Sequence, residues 1–181
     1  MRKVLNQFKM ALAGVAVVAL SGCAVVDPYA LVSCPTIGVL ADASEITRFR
    51  HGGARDASDV AWHGEIATVD FTCIQPEGKG VVIADAIIVA TFTRGPAATG
   101  DRQFFTLFST LTEREDKVID KAVFSLDVKF RDGEKTVTKT KRINSIRIPT
   151  EGEVAPELYN VYFGFQLSPA EVAYNRTKER G

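Results

Sequence analysis

Between residues 60 and 167 apolar side chains recur mostly at every second position, the period of a strand with one buried face. The sharpest case is 118–130, where Val118, Ala122, Phe124, Leu126, Val128 and Phe130 alternate with Lys121, Ser125, Asp127 and Lys129. That pattern predicts one core face and one wet face. Asp132-Gly133 follows, a dipeptide that supplies positive φ for a tight type I′ turn, so 136–148 is expected to run back as its hairpin partner until Pro149 stops it. Tyr159, Val161, Phe163, Phe165 and Leu167 alternate through a last strand, with Tyr162 on the opposite face. Upstream, 62–74 is a strand with Val69, Phe71 and Cys73 on one face, and 103–111 is another, rich in Phe and Thr. The stretch 81–92 is apolar almost throughout apart from Asp85, which suits a central strand covered on both faces.

Helical patterning is sparse. Residues 37–40 read as a short strand, and Asp42-Ala43-Ser44-Glu45 has capping-box spacing that predicts a helical turn through Ile46 and Phe49. Residues 50–59, with Gly52-Gly53, read as an exposed loop. Ser168-Pro169-Ala170-Glu171 combines an N-cap serine, proline at the first helical position and glutamate at the capping-box site, predicting a short helix to about Lys178. Six or seven strands without long helices between them predict an all-β fold: an antiparallel two-layer β-sandwich, immunoglobulin-like in general form, with a short C-terminal helix. Trp62 lies too near Cys73 for the immunoglobulin Cys-Trp-Cys spacing, so the likeness is to sandwiches in general.

The first residues change the picture. Arg2, Lys3 and Lys9, with no acid among them, precede an apolar run over 10–20 and then Ser21, Gly22 and Cys23, which is the anatomy of a secretory signal. The run is too short for a span, which needs roughly 20 apolar residues. Leu20-Ser21-Gly22-Cys23 resembles the lipobox of bacterial lipoprotein precursors. That resemblance implies cleavage before Cys23, diacylglycerol on its thiol and a further acyl chain such as palmitate on its new amino group. Two or more chains anchor stably, at ~0.8 kcal/mol per buried methylene. Ala24 follows the cysteine where aspartate would imply retention in the inner membrane, so the resemblance implies the periplasmic side of the envelope, at the outer membrane. The expected organisation is a signal peptide over 1–22, a lipidated N-terminus and short tether over 23–33, and a single β-sandwich domain over 34–181.

From Cys23 onward, 159 residues carry 19 Lys plus Arg against 22 Asp plus Glu, a balance that argues against a general nucleic-acid binder. With Cys23 assigned to lipid, Cys34 and Cys73 remain as an even pair in an oxidising compartment, and a disulfide between them is expected. Chain entropy gives about 4 kcal/mol for a loop of that size. The other reading is two separate buried thiols. His51 and His63 are the only histidines and no Cys-x-x-Cys is present, so neither a metal nor a cofactor is expected.

No motif for a nucleophile elbow, phosphate loop, zincin or dinucleotide fold occurs, so no catalytic residue is assigned. His51, Arg55, Asp56, Asp59 and His63, in or beside the 50–59 loop, form the nearest thing to a catalytic neighbourhood; such residues also serve as solvated turn formers. Lys135, Lys139, Lys141 and Arg142, facing Lys121, Lys129 and Arg131 across the expected hairpin, are the densest basic cluster. They suit contact with an anionic envelope surface, or else protection of an edge strand against pairing. The whole chain resembles the small envelope lipoproteins of Gram-negative bacteria. Its expected function is a non-catalytic binding or structural role toward another envelope protein or polymer, held to the membrane by its lipid anchor. Two other readings stay open: an envelope hydrolase or metal-dependent enzyme centred on His51 and His63, and a solute-binding module with an apolar cavity between the sheets.

Overall fold

The structure, a computed structural model, describes residues 29–31, 34–51, 55–76, 80–114, 117–150 and 156–178. Its strands are β1 (Tyr29–Leu31), β2 (Thr36–Val39), β3 (Glu45–Phe49), β4 (Val60–Pro76), β5 (Val81–Arg94), β6 (Arg102–Glu113), β7 (Lys117–Lys129), β8 (Thr136–Pro149) and β9 (Tyr159–Phe165), followed by helix α1 (Pro169–Lys178). One sheet has the order β1-β4-β5-β8, with β3 also on β4, and the other has the order β2-β9-β6-β7. All pairings are antiparallel except β2 with β9. The fold is the expected all-β sandwich with a short C-terminal helix.

An immunoglobulin sandwich places B between A and E in one sheet and C beside F in the other, with C′ outside C in the variable type. Here β4-β5-β8 occupy A-B-E and β7-β6-β9 occupy C′-C-F. The place of the last strand, G, is taken from the other direction. β2, which precedes all six, lies parallel along β9 from Thr36 opposite Asn160 to Val39 opposite Phe163.

The expected hairpin of 118–130 with 136–148 does not form. β7 is paired along its length with β6, from Lys129 opposite Arg102 to Lys117 opposite Glu113, so the free edge that receives β8 is β5's, in the other sheet. The connecting turn differs as well. Glu134 N–H donates to Arg131 O at 3.0 Å, and only Gly133 (φ 74°) has positive φ, whereas a type I′ turn needs it at both central residues. Phe130, 1 % exposed, packs on Trp62 at 5.3 Å and draws the chain over the core as it changes sheets.

Three further expectations need correction. Ile46 and Phe49 belong to β3 and not to a helical turn, which is limited to Ala41–Ala43. Ile46 is fully buried beside Gly64, where a Cβ would stand 3.1 Å from its methyl group, so packing on β4 overrides the local capping pattern. In β5, Val82, Ala84, Ala86, Ile88, Ala90 and Phe92 are buried while the alternate residues from Ile83 onward are half-buried or exposed, so past the buried Val81 only one face is core. In β7 the wet and dry faces separate only in the second half: Leu126 and Val128 are buried, but Val118 is 62 % exposed.

The space between the sheets is filled by Phe92, Phe105, Phe163, Phe165, Ile88 and Leu107, each under 2 % exposed. Helix α1 begins with the expected capping box: Ser168 N–H donates to Glu171 Oε2 at 2.7 Å and Glu171 N–H donates to Ser168 Oγ at 3.3 Å. Its apolar face is thin, and polar ties hold it. Asn175, 2 % exposed, donates from Nδ2 to the carbonyls of Asp42 and Glu45, both at 2.9 Å, while Arg176 pairs with Asp42 and Lys178 with Glu45. Tyr174 meets the ring of Phe49 edge-on at 5.0 Å.

Candidate functional site

Cys23 lies outside the described residues. Cys34 and Cys73 are joined as a disulfide with their Cα atoms 5.6 Å apart, which removes the alternative of two separate thiols. The bond ties the approach to β2 in one sheet to β4 in the other, a different pair of strands from the B–F bridge of antibody domains.

The basic residues of β8 do not share a face. Strand alternation turns Lys139 and Lys141 inward, half-buried, toward the seam where the edge strands β8 and β7 meet. Lys141 Nζ lies 5.8 Å from the centre of the Phe124 ring, and Lys139 contributes to the field around Asp127. Asp127 is held below the usual carboxylate range first by its hydrogen bonds from Arg102 (Nε to Oδ1, 2.7 Å; Nη2 to Oδ2, 2.5 Å). Arg142 turns to the other face, where it lines a 150 Å³ depression with Asp70, Asp85 and Asn144. Asp85 accepts there from Ser145 N–H at 2.8 Å, at the irregularity in the β5–β8 register. Lys135 stands apart, exposed in the turn before β8 and lining a shallow cleft with Arg94 and Glu134. Lys121, on β7, lies over the Phe108 ring at 4.8 Å. Inward-pointing lysines at an open edge also hinder pairing with another strand.

The histidine-bearing loop is taken apart by the fold. Asp56 caps the turn Ala57–Asp59, accepting from Ser58 Oγ (2.6 Å), Ser58 N–H (2.8 Å) and Asp59 N–H (3.2 Å), and these bonds, the hydroxyl's first, lower its pKa. Asp59, 2 % exposed, pairs with Arg50. His63 sits on β4 opposite Thr47, its Nδ1 3.1 Å from Thr47 Oγ1, while its Nε2 is 3.8 Å from Glu45 Oε2, beyond hydrogen-bond reach. His51 lies in the turn after β3 and lines the cleft described below, of whose lining His63 is not part. Among the described residues no group of three or more His, Cys, Asp or Glu could hold a metal ion.

A cleft of about 470 Å³ between β3 and the start of α1 was not apparent in the sequence. Arg48, Arg50, His51 and Arg55 line it, over the Phe49 and Tyr174 rings. Its cations are largely engaged: Arg48 donates to Phe104 O at 2.8 Å, approaches Glu171 at 3.5 Å and lies over the Phe105 ring, while Arg50 holds Asp59. The alternation of Arg48 and Arg50 at the end of β3 was the available signal, hidden because the sequence pattern put Arg48 in a helical turn and Arg50 in a loop. No protein-family model matches the chain, and neither does any curated protein or solved structure.

Proposed function

We propose that this protein is a secreted bacterial lipoprotein, anchored by lipid on Cys23 at the periplasmic side of the envelope, in the inner leaflet of the outer membrane. Its sandwich serves a non-catalytic binding or structural role toward another envelope protein or polymer. The observation that carries this reading is the Cys34–Cys73 bridge. A structural disulfide belongs to an oxidising compartment, and its formation leaves Cys23, at the end of the leader-like segment, as the one cysteine outside it. The densely packed interior and the separated histidines give less support to a solute-binding cavity or a hydrolase. The test is Cys23→Ala in the native host, followed by fatty-acid labelling and membrane fractionation. Loss of label with release from membranes is expected; a variant that still labels and still pellets with membranes would refute the anchor. Crosslinking of the anchored protein followed by affinity capture identifies the partner.

A further inference from the structure

The tether and the exposed apolar side chains meet at the same end of the sandwich. β1 begins at Tyr29, opposite Pro76, so the chain coming from Cys23 enters where β4 ends, β5 begins and β8 ends at Pro149. Cys34, bonded to Cys73, precedes Thr36, which lies beside Asn160 and hence level in the sheet with Thr112 and Val118. The β6–β7 turn and the start of β9 therefore belong to this end too. Tyr29 is six residues along the chain from Cys23, a reach of at most about 21 Å. The opposite end, where β5 finishes at Arg94, is about 43 Å away along that strand.

Val118, Ile119 and Leu158 are exposed at this near end, by 62 %, 40 % and 41 %. Arg114, just past the end of β6, is held beside them. Arg114 N–H donates to Leu158 O at 2.7 Å, and Arg114 O accepts from Thr112 Oγ1 at 3.1 Å and from Asn160 Nδ2 at 2.5 Å, holding Arg114 at φ 58°. In the sequence Arg114, Lys117 and Lys121 stand among Glu113, Glu115, Asp116, Asp120 and Glu157, and Lys117 pairs with Glu113 at 2.7 Å. The excess is acidic, so attraction of basic side chains to lipid phosphates does not supply the affinity of this surface, and its apolar side chains must.

We propose that the sandwich stands on the lipid bilayer through this end, with Val118, Ile119 and Leu158 entering the boundary between headgroups and acyl chains. The inference rests on the lipid anchor at Cys23, which holds the surface within tether reach of the bilayer and so sustains a contact that three side chains could not maintain alone. Lys135, before β8, and Lys139, on its first half, then lie toward the end away from the anchoring membrane.

The test uses the lipidated full chain in phosphatidylcholine vesicles with or without acyl-brominated lipid. Val118→Trp and Ile119→Trp report on the near end. Phe104→Trp, at a position 53 % exposed and about 30 Å along β6 from the turn, is the control, and wild type gives the background of buried Trp62. We expect a blue shift and loss of emission in brominated vesicles for both near-end variants, unchanged by salt, and neither effect for Phe104→Trp or wild type. Near-end variants that stay as bright as Phe104→Trp in a chain that carries lipid and floats with vesicles would overturn the seating while sparing the anchor. A blue shift without bromine quenching would assign the surface to a protein contact and overturn it as well. A chain whose mass shows no lipid removes the anchor and the seating together.

Discussion

At the end of the sandwich away from β1, the sheets are held by rings: Trp62 on Phe130 at 5.3 Å, Phe92 on Phe105 at 4.5 Å, and Phe165 within 6.0 Å of Phe92 and 6.3 Å of Phe105. At the β1 end the ring contact is Phe71 with Phe163 at 6.2 Å, and the Cys34–Cys73 bond joins the layers. Phe92, Phe105 and Phe165 are fully buried; at the β1 end Val82, Ile148, Val161 and Phe163 are too, but Phe71 is only partly so and Val118 is exposed. Burying apolar surface stabilises only where both sheets cover it; a covalent link acts on the unfolded chain and needs no such cover. The end where β1 begins can therefore present apolar side chains outward without losing the connection between its sheets.

The largest effect should come from emptying the ring-packed end. Phe92→Ala removes a ring that touches two others and is expected to cost about 3–5 kcal/mol in denaturant unfolding. A much smaller loss would mean that the distal rings do not dominate the core. Removing the bond, by Cys34→Ala with Cys73→Ala, should cost about 2–4 kcal/mol. Amide exchange should then rise first in β2 and the end of β4, and uniform acceleration that includes the Phe92 segment of β5 would break the contrast between the ends.

Midway, on the outer face, Gly164 lies under Phe108 and Ala43; a Cβ there would be 2.8 Å from Ala43 Cβ and from Phe108 Cε1. Gly164→Ala should destabilise by about 1–3 kcal/mol through overpacking, measured by the same unfolding curves. Glu171→Ala, which opens the capping box of α1, should cost about 1 kcal/mol and appear as fraying of the helix in amide exchange, with both ends of the sandwich unaffected.

The smallest effect is that of pH. Asp56, through its hydrogen bonds from Ser58, and Asp127, through those from Arg102, have pKa values lowered on folding. Their contribution is complete above the ordinary carboxylate value and is lost as pH falls through the lowered ones. Carboxyl titration by NMR should find both below the range of unfolded aspartate. Values at or above that range would contradict the hydrogen bonding described.

Period-two alternation sufficed to find the strands over 62–74, 103–111 and 159–165, because one buried face imposes that period whatever the partner strand; Leu167 continues the pattern but lies past the strand's end at Phe165. The start of α1 at Ser168-Pro169-Ala170-Glu171 was equally legible, since its two capping hydrogen bonds are local. The cysteine pair was legible by count. Partner choice was not. Alternation in 118–130 and 136–149 is the same whether these strands pair with each other or lie in opposite sheets, and only the free edge of β5 decides for the latter. Lys139 and Lys141 part company with Arg142 by alternation, but which of the two faces was the seam depended on that pairing. Ile46 and Phe49 lost their helical pattern to the packing of β3 on β4. Val118 and Leu126 occupy the same kind of position in the pattern, yet one is exposed and the other buried. Local sequence carries the period of an element and the chemistry of its ends, while burial depends on what the other layer places opposite each residue, and that is determined only when both sheets are assembled.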